Sequence, residues 1–397
     1  MRYDFDERID RTGSNCEKYD NLKEVFGRDD IIPLWVADTD FRTPDFIMNA
    51  IRERAGHPVL GYSFRCDYYN ESIRSWLWRR NGWAVDNEWL HFCPGVICGV
   101  YYGISSLTSE GDGILIQPPV YPPFARVIEA CGRRVVTNPL RLEDGGWSVD
   151  FDDLARKLPQ VKALVLCNPH NPTGKVFTRT ELETIGRMCL EHGVSIISDE
   201  IHSDLIMSGH RHTHIASLSD DLAANTYTFI SPSKTFNTAG LSTAVAVIPS
   251  ARHRQSYTAC AERIHVSQGN IFGAVALRAA YNNGDEWLDR LRIYIEDNID
   301  YVLGRLACTM PEIKCVKPQG TYLMWLDCRG MGFTHDELVD FFVNKARLGL
   351  NSGLDYGQEG RLFMRLNVGC PRQTLREALD RLQEAMARRI MVCGHGR

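Results

Sequence analysis

The sequence predicts an α/β fold, with a large domain around a mainly parallel sheet and a smaller α+β domain beside it. Three observations predict this. Short continuous apolar runs, such as Ala163-Leu-Val-Leu-Cys167 and Val194-Ser-Ile-Ile197, fit strands covered on both faces. These runs alternate with helical patterns, as βαβ units require. A chain of 397 residues also exceeds one ordinary hydrophobic core.

Taken in order, Gly56 to Gly61 and Gly82 bracket a helix over 69–80, where Ile73, Trp76 and Leu77 recur at helical spacing. Pro94-Gly95 opens a helix over 96–108. A strand over 113–117, a helix over 123–131 and a strand over 134–137 follow. Next come the strand ending at Cys167, a helix from Thr178 to His192, the strand ending at Ser198, and the strand Thr226-Tyr-Thr-Phe-Ile230. Thr178-Arg-Thr-Glu181 has the form of a capping box. Tyr281-Asn-Asn-Gly-Asp285 marks a boundary. Beyond it a helix over 286–308, a strand over 321–327, a helix over 335–345, a strand over 362–366 and a final helix make the smaller domain. The expected division is an N-terminal segment (1–45) packing with the small domain, a large domain (46–284) and a small C-terminal domain (285–397).

The net charge of −5 is spread along the chain and argues against nucleic acid as a partner. No apolar run approaches the roughly 20 residues of a membrane helix, and Met1-Arg-Tyr-Asp-Phe-Asp-Glu7 lacks a signal peptide's apolar core. Thirteen cysteines without a Cys-x-x-Cys pair indicate neither a disulfide framework nor a zinc site. A cytoplasmic protein with reduced thiols is expected. His210-Arg-His-Thr-His214 has no carboxylate or cysteine nearby to complete a metal set, so it is read as a solvated loop and no metal is expected.

Chemistry concentrates where strands end. Ligands of open α/β sheets bind beyond the carboxyl ends of the strands, and Asn171, Asp199 and Lys234 each follow such an end. Lys234, in Ser231-Pro-Ser-Lys234, follows an apolar strand. A desolvated amine with a lowered pKa can form a Schiff base with an aldehyde, and pyridoxal phosphate is the commonest such aldehyde. Taken alone, Ser-x-x-Lys also occurs in Ser–Lys hydrolases.

Asn171-Pro-Thr-Gly174, Asp199-Glu-Ile-His202 and Ser231-Pro-Ser-Lys234, in that order, resemble the fold-type I pyridoxal-phosphate enzymes, the aspartate aminotransferase superfamily. Leu34-Trp-Val-Ala-Asp-Thr-Asp-Phe41, Gly61-Tyr-Ser63, Pro118-Pro-Val-Tyr121, Ser198–Asp204, Ser233–Asn237 and Arg365-Leu-Asn367 are similar to the bacterial cystathionine β-lyase branch, which includes cystalysin-type enzymes. The resemblance runs from about residue 3 to about 388. It implies an aspartate-aminotransferase-like fold, pyridoxal 5′-phosphate as cofactor, and a homodimer with shared active sites.

Site roles follow from the same resemblance. Lys234 is the catalytic lysine that carries the cofactor. Asp199 faces the pyridine nitrogen, and Asn171 and His202 face the 3′-oxygen. Tyr121 stacks on the ring. The amides of Val96 and Ile97, with the hydroxyls of Ser231 and Ser233, take the phosphate. Tyr62 reaches the phosphate of the neighbouring subunit. Arg365, on an otherwise apolar strand, clamps the substrate carboxylate with Asn171. Many aminotransferases carry a phosphate-binding arginine eight residues past the lysine, where this chain has Ser242. The implied reaction is β-elimination from L-cystathionine, cysteine or another S-substituted cysteine, giving a thiol, pyruvate and ammonia. An aminotransferase, and a regulatory or binding protein retaining the fold, remain alternatives.

Overall fold

The computed structural model describes residues 3–143, 146–266 and 269–394. At its centre stands a seven-stranded sheet in the order Leu90–Cys93, Ala244–Val247, Thr226–Ile230, Ser195–Asp199, Ala163–Cys167, Gly113–Ile116, Arg134–Thr137. Ala244–Val247 runs against both its neighbours, and the others share one direction. Register sets Cys167 opposite Asp199 and Asp199 opposite Phe229, so these strand ends lie side by side. That alignment brings Asn171, Asp199 and Lys234 to one edge of the sheet.

The expected helices form at Asp67–Asn81, Val96–Leu107, Pro123–Ala130, Arg179–Glu191, Asp285–Thr309 and Arg372–Gly394. Thr178 and Glu181 close both halves of the capping box. One expectation needs correction. The helix over 335–345 is α-helical only at His335–Asp340 and widens to a π-helix at Phe341–Lys345. The helix Val96–Leu107 lies close on the sheet because a Cβ on Gly99 would come within 2.4 Å of the Phe229 ring. This close seating carries the first turn of the helix to the strand ends.

A second, antiparallel sheet has the order Lys314–Cys315, Leu323–Asp327, Phe363–Asn367, Asn351–Ser352. Near it, Ile32–Pro33 pairs in parallel with Leu348–Gly349. One core cluster joins Phe5, Leu34 and Phe41 to Trp287, Leu323 and Leu366. The strap after Ile32–Pro33 is held firmly. Asn367 donates its side-chain amide to the carbonyls of Val36 and Asp38, both at 2.6 Å. Arg11 pairs with Asp38 (2.6 Å) and Asp40 (2.7 Å), and buried Lys18 pairs with Asp40 at 2.9 Å. Among the described residues no helix is long and apolar enough to cross a membrane.

Candidate active site

A cavity of about 210 Å³ opens at the carboxyl ends of the central strands, lined in part by Tyr121, Asn171, Asp199, His202 and Lys234. Ser231, Ser233 and the first turn at Val96–Ile97 line it too. Lys234 sits on a short helical turn, Ser233–Phe236, directly after its strand. Its Nζ donates to the carbonyl of Ala37 at 2.6 Å, and Tyr322 donates its hydroxyl to the same oxygen at 2.9 Å. Burial first, and then repulsion from Arg365, lowers the Lys234 amine to about 8.

Asp199 ends its strand and accepts the Ile201 amide at 3.0 Å. Burial pushes its carboxyl up to about 7, against the pull of Ile201 and Lys234. His202 is buried, and burial with repulsion from Lys234 and Arg365 drives it well below the usual imidazole range. The ring is therefore neutral, and its Nδ1 is buried without a hydrogen-bond partner.

Arg365 lies on the Phe363–Asn367 strand. It donates to Asn171 Oδ1 (3.1 Å), the Trp35 carbonyl (2.6 Å) and Asn351 Oδ1 (2.6 Å), and its guanidinium lies 5.2 Å from the Tyr356 ring centroid. Its Nε is buried and unpartnered. Three neutral acceptors and a ring fix the arginine without neutralising it, so its charge is available to an anionic guest.

At the other end of the cavity, Gly95 precedes the helix Val96–Leu107 with no side-chain cap, so the first-turn amides are uncapped. The Ser231 hydroxyl bonds the Thr243 carbonyl at 2.8 Å and the Ser233 hydroxyl at 2.9 Å. Among the described lining residues Lys234 is the sole cation, and Ser242 also lines the wall. Tyr62 lies elsewhere, on an exposed loop with 98% of its surface accessible, and this chain alone does not bring it to the cavity.

The reading of His210–His214 as a solvated loop is wrong. His212 and His214 are buried, and Glu200, distant in sequence, is the carboxylate that completes the group. Glu200 Oε2 accepts from His212 Nε2 at 2.8 Å and from His214 Nδ1, while Oε1 accepts from Ser198 at 2.7 Å. These are hydrogen bonds that satisfy a buried carboxylate. The two imidazoles overcome burial and hold Glu200 down at about 2. Its folded value lies below its ordinary one, so its stabilisation is present above about pH 4.5 and is lost as pH falls towards 2. Glu200→Ala should cost about 3–5 kcal/mol in denaturant unfolding at pH 7 and flatten that acid limb. Sequence reasoning also missed the Ala37 carbonyl, Tyr322 and Asn351.

The cavity fits pyridoxal phosphate. Uncapped amides and hydroxyls suit its phosphate, a buried carboxylate suits its ring nitrogen, and a low-pKa amine suits its aldehyde. The orphaned His202 Nδ1 and Arg365 Nε mark where polar partners belong. The whole chain is similar to known proteins. Cystathionine beta-lyase PatB of Bacillus subtilis is 42% identical, over 96% of this chain and 100% of its own. Cystalysin from Treponema denticola, solved with pyridoxal 5′-phosphate, superposes with a TM-score of 0.93 at 32% identity, covering 98% of this chain and 99% of its own. The PLP-bound C-S lyase of Staphylococcus hominis gives a TM-score of 0.90 at 31% identity, over 96% of this chain and 98% of its own. The profile of aminotransferase class I and II matches residues 29–382, and with the strand-end cavity in place the chain belongs to that family.

Proposed function

We propose that the protein is a pyridoxal-phosphate-dependent carbon–sulfur β-lyase acting on L-cystathionine or other S-substituted cysteines. The observation that carries this reading is the full-length likeness to a cystathionine β-lyase, at 42% identity. When bound, pyridoxal phosphate supplies the electron sink that stabilises negative charge at the substrate Cα. Arg365 binds the substrate carboxylate and Asn171 orients it. Lys234, neutral far more readily than an ordinary lysine, takes the Cα proton on Nζ. With the cofactor bound, Asp199 would hold a proton on its ring nitrogen, and neutral His202 with Asn171 would bond its ring oxygen. The Cα–H electrons then form the Cα–Cβ double bond as the Cβ–S bond breaks, and the thiolate leaves with its electron pair. Hydrolysis yields pyruvate and ammonia.

Incubation of the holoenzyme with L-cystathionine and no oxo acid should release pyruvate and thiol in equal amounts. Amino transfer only after a 2-oxo acid is added would assign an aminotransferase instead. Arg365→Ala should raise KM for the amino acid by about 10–100-fold, the worth of a charged hydrogen-bonded clamp. Initial rates against substrate concentration test this.

The functional unit is a homodimer. The loop holding Val59, Leu60, Tyr62 and Phe64 leaves large apolar side chains in solvent, as expected where a second copy packs. Tyr62 then completes the phosphate site of the partner. The free cysteines among the described residues favour a cytoplasmic setting.

A further inference from the structure

Lys234 Nζ meets the Ala37 carbonyl at 2.6 Å across a separation of 197 residues. A flexible lysine stem does not hold such a contact by itself, so both its own turn and the strap must be fixed relative to each other. The turn Ser233–Phe236 is anchored in the core: Thr235 donates its hydroxyl to buried Asp204 at 2.8 Å, and the Phe236 ring stacks 5.3 Å from that of Trp287. The strap is tied to the second sheet by Asn367, through the Val36 and Asp38 carbonyls. Neither set of contacts joins the strap to the turn.

Asn237 joins them. It follows the turn with left-handed backbone, φ 57° and ψ 44°, and donates its own amide to the Ser233 carbonyl. Asparagine tolerates that conformation better than most side chains. Its Oδ1 accepts the Thr39 amide at 3.2 Å, while its Nδ2 donates to the carbonyls of Thr39 (2.9 Å) and Phe41 (3.1 Å). Its backbone carbonyl accepts the Thr43 hydroxyl at 3.3 Å. Among the described residues, every hydrogen bond between strap and turn, other than that of Lys234 itself, passes through Asn237. Only a side-chain amide can accept from and donate to one strap residue in this way.

We propose that Asn237 is a positioning residue for Lys234: it clamps the strap to the lysine turn, which keeps the Ala37 carbonyl on the amine and limits the amine's hydration. This rests on the reading of Lys234 as the residue that carries the cofactor and acts as base.

The test uses two variants. Asn237→Gly keeps the left-handed backbone and deletes the three side-chain bonds. Asn237→Asp keeps size and backbone but turns an acceptor on two carbonyls, and it is measured in high salt to screen the added charge. Capture of pyridoxal phosphate by each apo protein is followed by stopped flow, and turnover of L-cystathionine by each holoenzyme alongside. Both variants should capture the cofactor about five- to tenfold more slowly at pH 8, with the pH midpoint of the rate moved upward. Burial is the largest influence on the amine; Arg365 also lowers it, and Asp38 and Asp199 raise it, so added hydration outweighs a weaker pull from Asp38. The value of kcat should fall about 10–100-fold, the scale of a misplacement by an ångström, while KM stays within about threefold because Arg365 keeps Asn171 and Asn351. Parent-like capture and kcat in Asn237→Gly overturn the clamp, as does a rise in KM with kcat unchanged. If Asn237→Gly does not fold, Asn237→Asp decides by the same readings, and loss of the fold in both assigns the residue to stability alone and overturns the clamp too. If the parent apo protein does not capture pyridoxal phosphate, the reading of Lys234 has failed instead.

Discussion

Replacing Lys234 with alanine should lower pyruvate release by at least about 10⁴-fold, because one change removes both the attachment point and the base at Cα. The cofactor should still bind, held by the Val96–Ile97 amides, Ser231, Ser233 and Asp199, but borohydride should no longer fix it to the chain. Mass spectrometry of the reduced protein reads this directly, and retained near-normal turnover would refute the site. The depressed amine adds a second expectation. Capture of the cofactor by the apo chain needs a neutral amine, so its rate should climb through about pH 8 rather than near the 10.5 of an ordinary lysine. A stopped-flow pH series checks it.

The next largest effect belongs to Asp199→Asn. A buried carboxylate facing a protonated ring nitrogen forms a pair whose disruption costs about 3–5 kcal/mol, so turnover and cofactor affinity should fall together by about 10²–10³-fold. The apo protein should respond in the opposite direction. Burial raises Asp199 from its ordinary 3.8 to about 7, so the folded chain holds its proton more tightly than the unfolded chain. Stability contributed below about pH 3.8 is lost as pH rises through 7. An asparagine has no such charge to bury, so apo Asp199→Asn should be more stable than its parent by about 2–4 kcal/mol at pH 8. Urea unfolding of both apo proteins measures the difference. In the proposed role, the carboxylate would serve the bound cofactor at a cost to the stability of the empty fold.

Much of this site was legible because its side chains follow buried strands, and parallel register carries such ends to one edge. Asn171, Asp199 and Lys234 could be found that way with no knowledge of the intervening loops. The helix at Val96–Leu107 was equally legible, since Pro94-Gly95 breaks the chain just before an apolar periodic stretch. What escaped was set by distance or by backbone. Nothing near His212 and His214 shows that Glu200 will reach them, because that pairing depends on how the loop returns to the strand end. The strand Ala244–Val247 is a run of small residues whose reversed direction only pairing reveals. Ala251–Glu262 is mostly polar, burying little beyond Tyr257 and Ala261, so its helical period is faint. Asn351 and Tyr322 meet Arg365 and the strap from the second sheet, across sequence separations that no local pattern spans.

The oxygen that receives Lys234 belongs to no side chain. The Ala37 carbonyl is present whatever residue occupies that position, so mutational scanning of the strap registers its role only when the backbone shifts. Natural variation is under the same restriction, and it can retune the lysine's environment there only through the side chains that hold the strap. Asn367, which grips the carbonyls on either side of Ala37, is the chief of these. An Asn367 substitution should therefore mimic a lesion at the lysine from a position that touches neither lysine nor substrate, and a screen for altered turnover would recover the strap's contribution on a different sheet.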